Sequence, residues 1–185
     1  MRYLLLFICV IFISACQSGP TEPLANDEPE INSDTTSTIE QDSLTAPFDS
    51  ANYEFEQNAV LIDWQLLAQV EFNERFTEEV NAFVAYPVFD PIIKALNRKT
   101  VRIKGYLIPI DETGDENILV LSANPYSSCF FCGGAGQESV MDVLLKDKSQ
   151  KFQTDQLVTF EGKLKLNNSD LYFLNYILED AVVVQ

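Results

Sequence analysis

After Arg98 the hydrophobic pattern changes from helical spacing to alternation, five alternating runs follow, and the first of them carries a glycine at its middle. These observations predict a mainly β domain, a five-stranded OB-like barrel preceded by short helices that cover one side. The balance of charge narrows its roles. Among 185 residues, 12 Lys+Arg face 28 Asp+Glu, a formal charge of −16, and there is no histidine. A Ser-His-Asp or Cys-His catalytic set is therefore excluded, as is any His-ligated metal or haem. A phosphate-tracking surface needs Lys and Arg, so nucleic acid is not an expected partner.

Residues 1–15 read as a secretory leader. Arg2 supplies the positive start, and Tyr3-Leu4-Leu5-Leu6-Phe7-Ile8-Cys9-Val10-Ile11-Phe12 is an apolar run. That run falls short of the about 20 residues a membrane-spanning helix needs. Ile13-Ser14-Ala15-Cys16 resembles the bacterial lipobox, in which cleavage before the cysteine exposes a thiol for acylation. The resemblance implies a lipid on Cys16, and Gln17 in place of Asp implies the outer membrane, on its periplasmic face or at the cell surface.

Residues 16–58 form the expected tether. From residue 17 to 58 there are ten acidic residues and no Lys or Arg, with Ser, Thr, Pro and Asn filling most of the rest. Such a segment buries too little apolar surface to offset its ordering entropy. As a flexible coil of about 40 residues it would hold the domain roughly 35 Å from its anchor.

The folded domain is expected over 59–185. Val60, Leu61, Trp64, Leu67 and Ala68 fall at helical spacing, with Trp64 as a core anchor. Phe72, Phe76 and Val80 are four apart, which leaves residues 72–81 ambiguous. Tyr86-Pro87-Val88-Phe89 should be extended, because a residue before proline avoids the helical region. Asp90 can cap a second helix with Pro91 at its first position, and Asn97 can close it.

The strands follow in turn. Val101, Ile103, Gly105, Leu107 and Pro109 alternate with Arg102, Lys104, Tyr106, Ile108 and Ile110. Gly105 permits the bend by which one strand serves both sides of a small barrel. The other runs are Ile118–Ser122, residues 139–145, Leu157–Leu166 and residues 171–184. In the fourth, Val158, Phe160, Leu164 and Leu166 face one way. The fifth is apolar on both faces over residues 171–178, so the helices before residue 98 should cover it. Residues 146–156 are polar and leave room for little more than a turn, whereas OB folds often place a helix there.

Two of the four cysteines belong to the leader and anchor; the mature domain keeps Cys129-Phe130-Phe131-Cys132, followed by Gly133-Gly134-Ala135-Gly136-Gln137-Glu138. Gly133 stands where haem attachment needs histidine. Two thiols alone do not complete a four-thiolate zinc site. The glycines make a poor helix start, against thioredoxin-like chemistry. Three uses of the pair stay open: a structural disulfide in an oxidising compartment, a soft-metal site for Cu(I) or Zn(II) with Glu138 or a second molecule completing the shell, and a thiol–disulfide enzyme. Gly133 and Gly134 have two readings: a tight loop that aims backbone amides at a ligand or anion, or a plain reversal of the chain between the second and third strands.

Gly105-Tyr106-Leu107-Ile108-Pro109 and Cys129-Phe130-Phe131-Cys132-Gly133-Gly134-Ala135-Gly136, with Tyr86-Pro87 and Trp64 upstream, resemble an uncharacterised family of exported OB-like proteins and lipoproteins of Gram-negative bacteria. The resemblance covers residues 60–185. It implies an envelope location, without an activity, and metal-transport settings for some relatives. The sequence thus points to a non-enzymatic, outer-membrane-anchored domain that binds a ligand or envelope partner beside its cysteine loop. Soft-metal handling, with a metal-transport partner, is the alternative.

Overall fold

The computed structural model describes residues 43–108, 118–147 and 149–184. The leader, Cys16, the expected tether up to residue 42, and residues 109–117 lie outside them. The protein is mainly β. In chain order the elements are β1 (Glu54–Glu56), β2 (Ala59–Leu61), α1 (Trp64–Leu67), β3 (Glu71–Thr77), β4 (Ala82–Val88), α2 (Pro91–Lys94), β5 (Thr100–Ile108), β6 (Ile118–Ser122), β7 (Val140–Leu145), β8 (Leu157–Leu166) and β9 (Tyr176–Val184).

Among the described residues one mixed sheet of seven strands has the order β1-β2-β5-β6-β7-β9-β8, and β5 also pairs with β8. The last pairing returns the order to β5, so β5, β6, β7, β9 and β8 each have two neighbours within one circuit. The β7–β9 pair is parallel, with Asp142 opposite Ile177, and the other four pairs of the circuit are antiparallel. β5 pairs with β8 over residues 100–106 and with β6 over 106–108. The handover falls beside Gly105, where an added Cβ would lie 2.6 Å from Ser122 O and 2.8 Å from Leu121 Cγ. Only glycine lets the two backbones approach this closely.

Alternation decides the core. In β8, Val158, Phe160, Leu164 and Leu166 are buried and join Val101, Ile103, Leu107, Leu121, Met141, Val143 and Leu178 in the main cluster. Leu67, Phe89, Ile93 and Leu96, from the segment before residue 98, complete it. They cover β9 as expected. The Phe89 and Tyr176 rings lie 5.6 Å apart, and the Tyr176 hydroxyl donates to Leu67 O at 2.7 Å. Both short helices are capped by aspartate: Asp63 accepts from Leu66 N and Asp90 from Ile92 N, each at 2.8 Å. Trp64 packs on the core and donates through Nε1 to Lys104 O.

Three expectations are corrected, and one ambiguity is resolved. Residues 60–68 are not one helix: β2 takes Val60 and Leu61, which pair in parallel with Val101 and Arg102, before the four-residue α1 begins. Residues 72–81, which the spacing left ambiguous, are strand and turn. Phe72 and Phe76, four apart, sit on one face of a strand as well as of a helix, and β3 pairs antiparallel with β4 in a separate two-stranded sheet. Asn81, at φ 50°, makes the turn. The fifth strand starts at Tyr176, because Asn167 holds residues 168–175 in a compact loop.

The tether correction is the largest, since residues 43–58 are ordered. β1 pairs with β2, Asn97 donates to Leu44 O, and Tyr53 donates to Ile92 O at 2.7 Å. Phe48 stacks on Tyr53 and lies under Lys99 Nζ. Arg102, 7% exposed, meets Glu56 at 2.8 Å and Glu161 at 2.6 Å. The acidic segment thus ends on a nearly buried cation.

Candidate functional site

The cysteine loop connects β6 to β7 through three short 3-10 turns, Tyr126–Ser128, Phe130–Cys132 and Gln137–Ser139. Cys129 O accepts from Cys132 N at 3.2 Å and from Gly134 N at 3.1 Å, which folds the motif into one tight turn. Gly133 has φ 74°, in the left-handed region, and a Cβ on Gly134 would lie 2.6 Å from Ser128 O. Both glycines are therefore explained by this turn itself.

The pair has an inside and an outside. Cys129 is fully buried in a small second cluster with Ile108, Val120 and Val140, against which Phe130 and Leu174 pack. Cys132 is exposed. Both are free thiols, and Cys129 is close enough to act on the titration of Cys132. Desolvation, then the charge and hydrogen bond of Cys129, raise the Cys132 pKa above the usual thiol value. A thiol shifted this way is mostly protonated at neutral pH, unlike an activated nucleophile. Phe131 stays 50% exposed with its ring edge-on to Phe130.

Glu138 does not gather with the two sulfurs. Its carboxylate lies over Gly136, and its charge helps to raise the Tyr176 pKa, after desolvation. Among the described residues no group of three or more Cys, Asp or Glu side chains converges on a metal position.

Sequence reasoning missed two features. The first is Asp142, 6% exposed on β7, whose Oδ2 accepts from Leu174 N at 2.7 Å. Desolvation outweighs that bond and raises its pKa to about 6. The signal was legible as one carboxylate inside Val140-Met141-Asp142-Val143-Leu144-Leu145. The second is a groove of about 190 Å³ between residues 84–87 of β4 and the loop at 167–175, with Gln137 at one end. Gln137 follows the glycines of the cysteine loop, so that loop's last turn contributes to the lining. Asn167 sets its outer wall: Nδ2 donates to Asp170 O, Phe173 O and Leu174 O, and Oδ1 accepts from Ser169 N and Asp170 N.

No protein-family model matches the chain, and no curated protein does. The crystal structure of a DUF3299 family protein from Pseudomonas aeruginosa PAO1 is similar over 69% of this chain and 97% of its own, at 16% identity and a TM-score of 0.43.

Proposed function

We propose that the chain is an outer-membrane lipoprotein, anchored through Cys16, whose OB-like barrel binds a ligand or envelope partner beside the cysteine loop and performs no chemistry of its own. The barrel reading is supported by the closed circuit of β5, β6, β7, β9 and β8, with its two outer strands bridged by the β5–β8 pair. The binding reading rests on the groove, which is preformed, adjoins Gln137, and is walled by the loop between the last two strands of the circuit. In OB folds that loop borders the ligand face. The raised Cys132 pKa argues against a thiol–disulfide enzyme and leaves the cysteine turn as a support for the groove.

Two measurements test the reading. Cys16→Ser should move the protein out of the detergent-dependent membrane fraction; recovery in that fraction with an unchanged lipid mass would sink the anchor. In a small-molecule and peptide screen followed by amide shifts, hits should converge on Ala85, Gln137 and Asn168. Hits scattered over β1 or the β3–β4 tip would overturn the groove.

One observation favours a second reading. Two free thiols held in one tight turn offer the pair of sulfurs that a soft ion such as Cu(I) needs. Under that reading the reduced protein takes up about one equivalent of Cu(I) or Zn(II), and Cys129→Ser takes up none.

A further inference from the structure

The groove is bordered by four consecutive residues of β4, Val84 to Pro87. Successive side chains of a strand point to opposite faces, so a cavity that touches all four meets the strand along its edge. That edge is free. Among the described residues β4 pairs only with β3, and no backbone group of residues 84–86 bonds outside that hairpin. An unpaired edge offers alternating N–H and C=O groups, which a second strand satisfies. Pro87, which lacks the donor, ends the usable stretch.

The facing wall carries complementary groups. Gln137, Asn168 and Asn175 line the groove, and their side-chain amides make no hydrogen bond to the protein among the described residues. Each amide offers a donor and an acceptor, the same pair that a peptide unit presents. Lys and Arg are absent from the lining, and Asp170 is the one charged residue in it.

Both walls are held in place before anything binds. On the β4 side, the Arg75 guanidinium lies 4.3 Å from the centre of the Tyr86 ring and the Tyr86 hydroxyl is 2.8 Å from Thr77 Oγ1. On the other, Asn167 ties the loop down through both ends of its amide. Preorganised walls spare a ligand the cost of ordering them.

We infer that the groove receives an extended, uncharged peptide segment of a partner protein, added as a strand along the free edge of β4 while its other edge pairs with the three amides. The inference rests on the reading of the groove as the ligand site and names the class of ligand. A saccharide would use the amides and leave the strand edge unpaired; a peptide uses both walls. A phosphate-bearing or carboxylate-rich ligand finds no cation here. The cavity is smaller than the roughly 300–1,000 Å³ that encloses a drug-sized molecule. It therefore takes a short stretch of chain, and affinity comes from main-chain pairing.

Titration calorimetry and amide hydrogen exchange on the full, detergent-solubilised chain test this with four probes: acetyl-Thr-Val-Thr-Val-Thr-amide, the same peptide with a central proline, its Lys-substituted counterpart, and maltotriose. The first peptide should bind, protect amides of residues 84–86 from exchange, and bind with little dependence on salt. The proline peptide should fail, since it cannot complete the ladder. The Lys-substituted peptide should bind no better than the uncharged one. The double variant Gln137→Ala/Asn168→Ala should weaken binding roughly tenfold. Its unchanged melting temperature would show that the loss is local, because neither amide bonds to the protein. Tight binding by the Lys-substituted peptide alone, or equal binding by the proline peptide, would overturn strand addition. Maltotriose binding alone in the groove would overturn the peptide and leave the groove as a ligand site. If no probe perturbs the groove amides, both readings fall.

Discussion

Asp142 shows how one buried carboxylate couples this fold to pH. The group titrates at 3.8 in its ordinary state and at about 6 in the folded protein. Between those values the folded chain holds more protons than the unfolded one, so stability falls as pH rises through that window. Above it, the full cost of the buried charge is present. Asp142→Asn keeps an acceptor for Leu174 N and removes the charge. It should flatten the dependence between pH 4 and 6 and raise stability at pH 7 by on the order of 2–3 kcal/mol. Urea unfolding across that range checks the sign, and a variant less stable at pH 7 would refute it. The cysteines give a second asymmetry at the same scale. In reduced protein Cys129→Ser places a hydroxyl in an apolar cluster and should cost about 1–3 kcal/mol, whereas Cys132→Ser, at the surface, should stay within about 0.5. With its pKa raised above the usual thiol value, Cys132 should alkylate slowly at neutral pH while Cys129 stays protected until unfolding. Equal labelling of both thiols in native protein would contradict the buried placement of Cys129.

At the scale of elements, short pieces owe their form to what they pack on. β1 is three exposed residues, Glu54, Phe55 and Glu56, with no core of its own. It holds because Glu56 reaches Arg102, whose guanidinium also binds Glu161 and Gln57. Limited proteolysis of wild type should therefore cut before residue 43, not near residue 58. Arg102→Ala should move the cut toward residue 58 and cost about 2 kcal/mol, since two charge-assisted hydrogen bonds are lost in a nearly buried position. A cut near residue 58 in wild type would mean that the segment does not dock. The β3–β4 hairpin is the opposite case. Phe76 and Phe83 face each other across it, 54% and 72% exposed, with ring centroids 5.5 Å apart. An aromatic pair of this kind contributes about 0.5–1.5 kcal/mol beyond area burial, so its loss should loosen the hairpin and leave the main core intact.

For the whole molecule, the decisive contact is the one at Gly105, where β5 leaves β8 for β6. Gly105→Val would drive a side chain into Ser122 O and Leu121. We expect a loss of about 1–3 kcal/mol or more, read by thermal unfolding, with poor recovery of folded protein. A tolerated valine would show that the two strands separate more freely than the described contact allows. Because the circuit pairs β5 with β8 and β7 with β9 across long sequence separations, folding should be slow relative to a helical protein of this size.

The sequence alone determined the strand segments from residue 100 onward apart from the start of the last, their inward faces, the Asp90 cap and the position of the cysteine turn. Alternation, proline, aspartate and glycine act through neighbours within a few residues, so their consequences are local and readable. Tertiary structure decided the rest. A four-residue spacing satisfies a strand and a helix equally, so only the β4 partner made β3 a strand. The acidic stretch before residue 58 lacks a counter-charge within itself, and Arg102, 46 residues after Glu56, supplies it. The groove joins β4, Gln137 and the loop at 167–175, three segments far apart in the chain. Its amides look like ordinary turn residues in the sequence. They became a candidate binding wall only when the fold brought them to one groove with β4, because a hydrogen-bonding site is a matter of distance in space and the sequence records only distance along the chain.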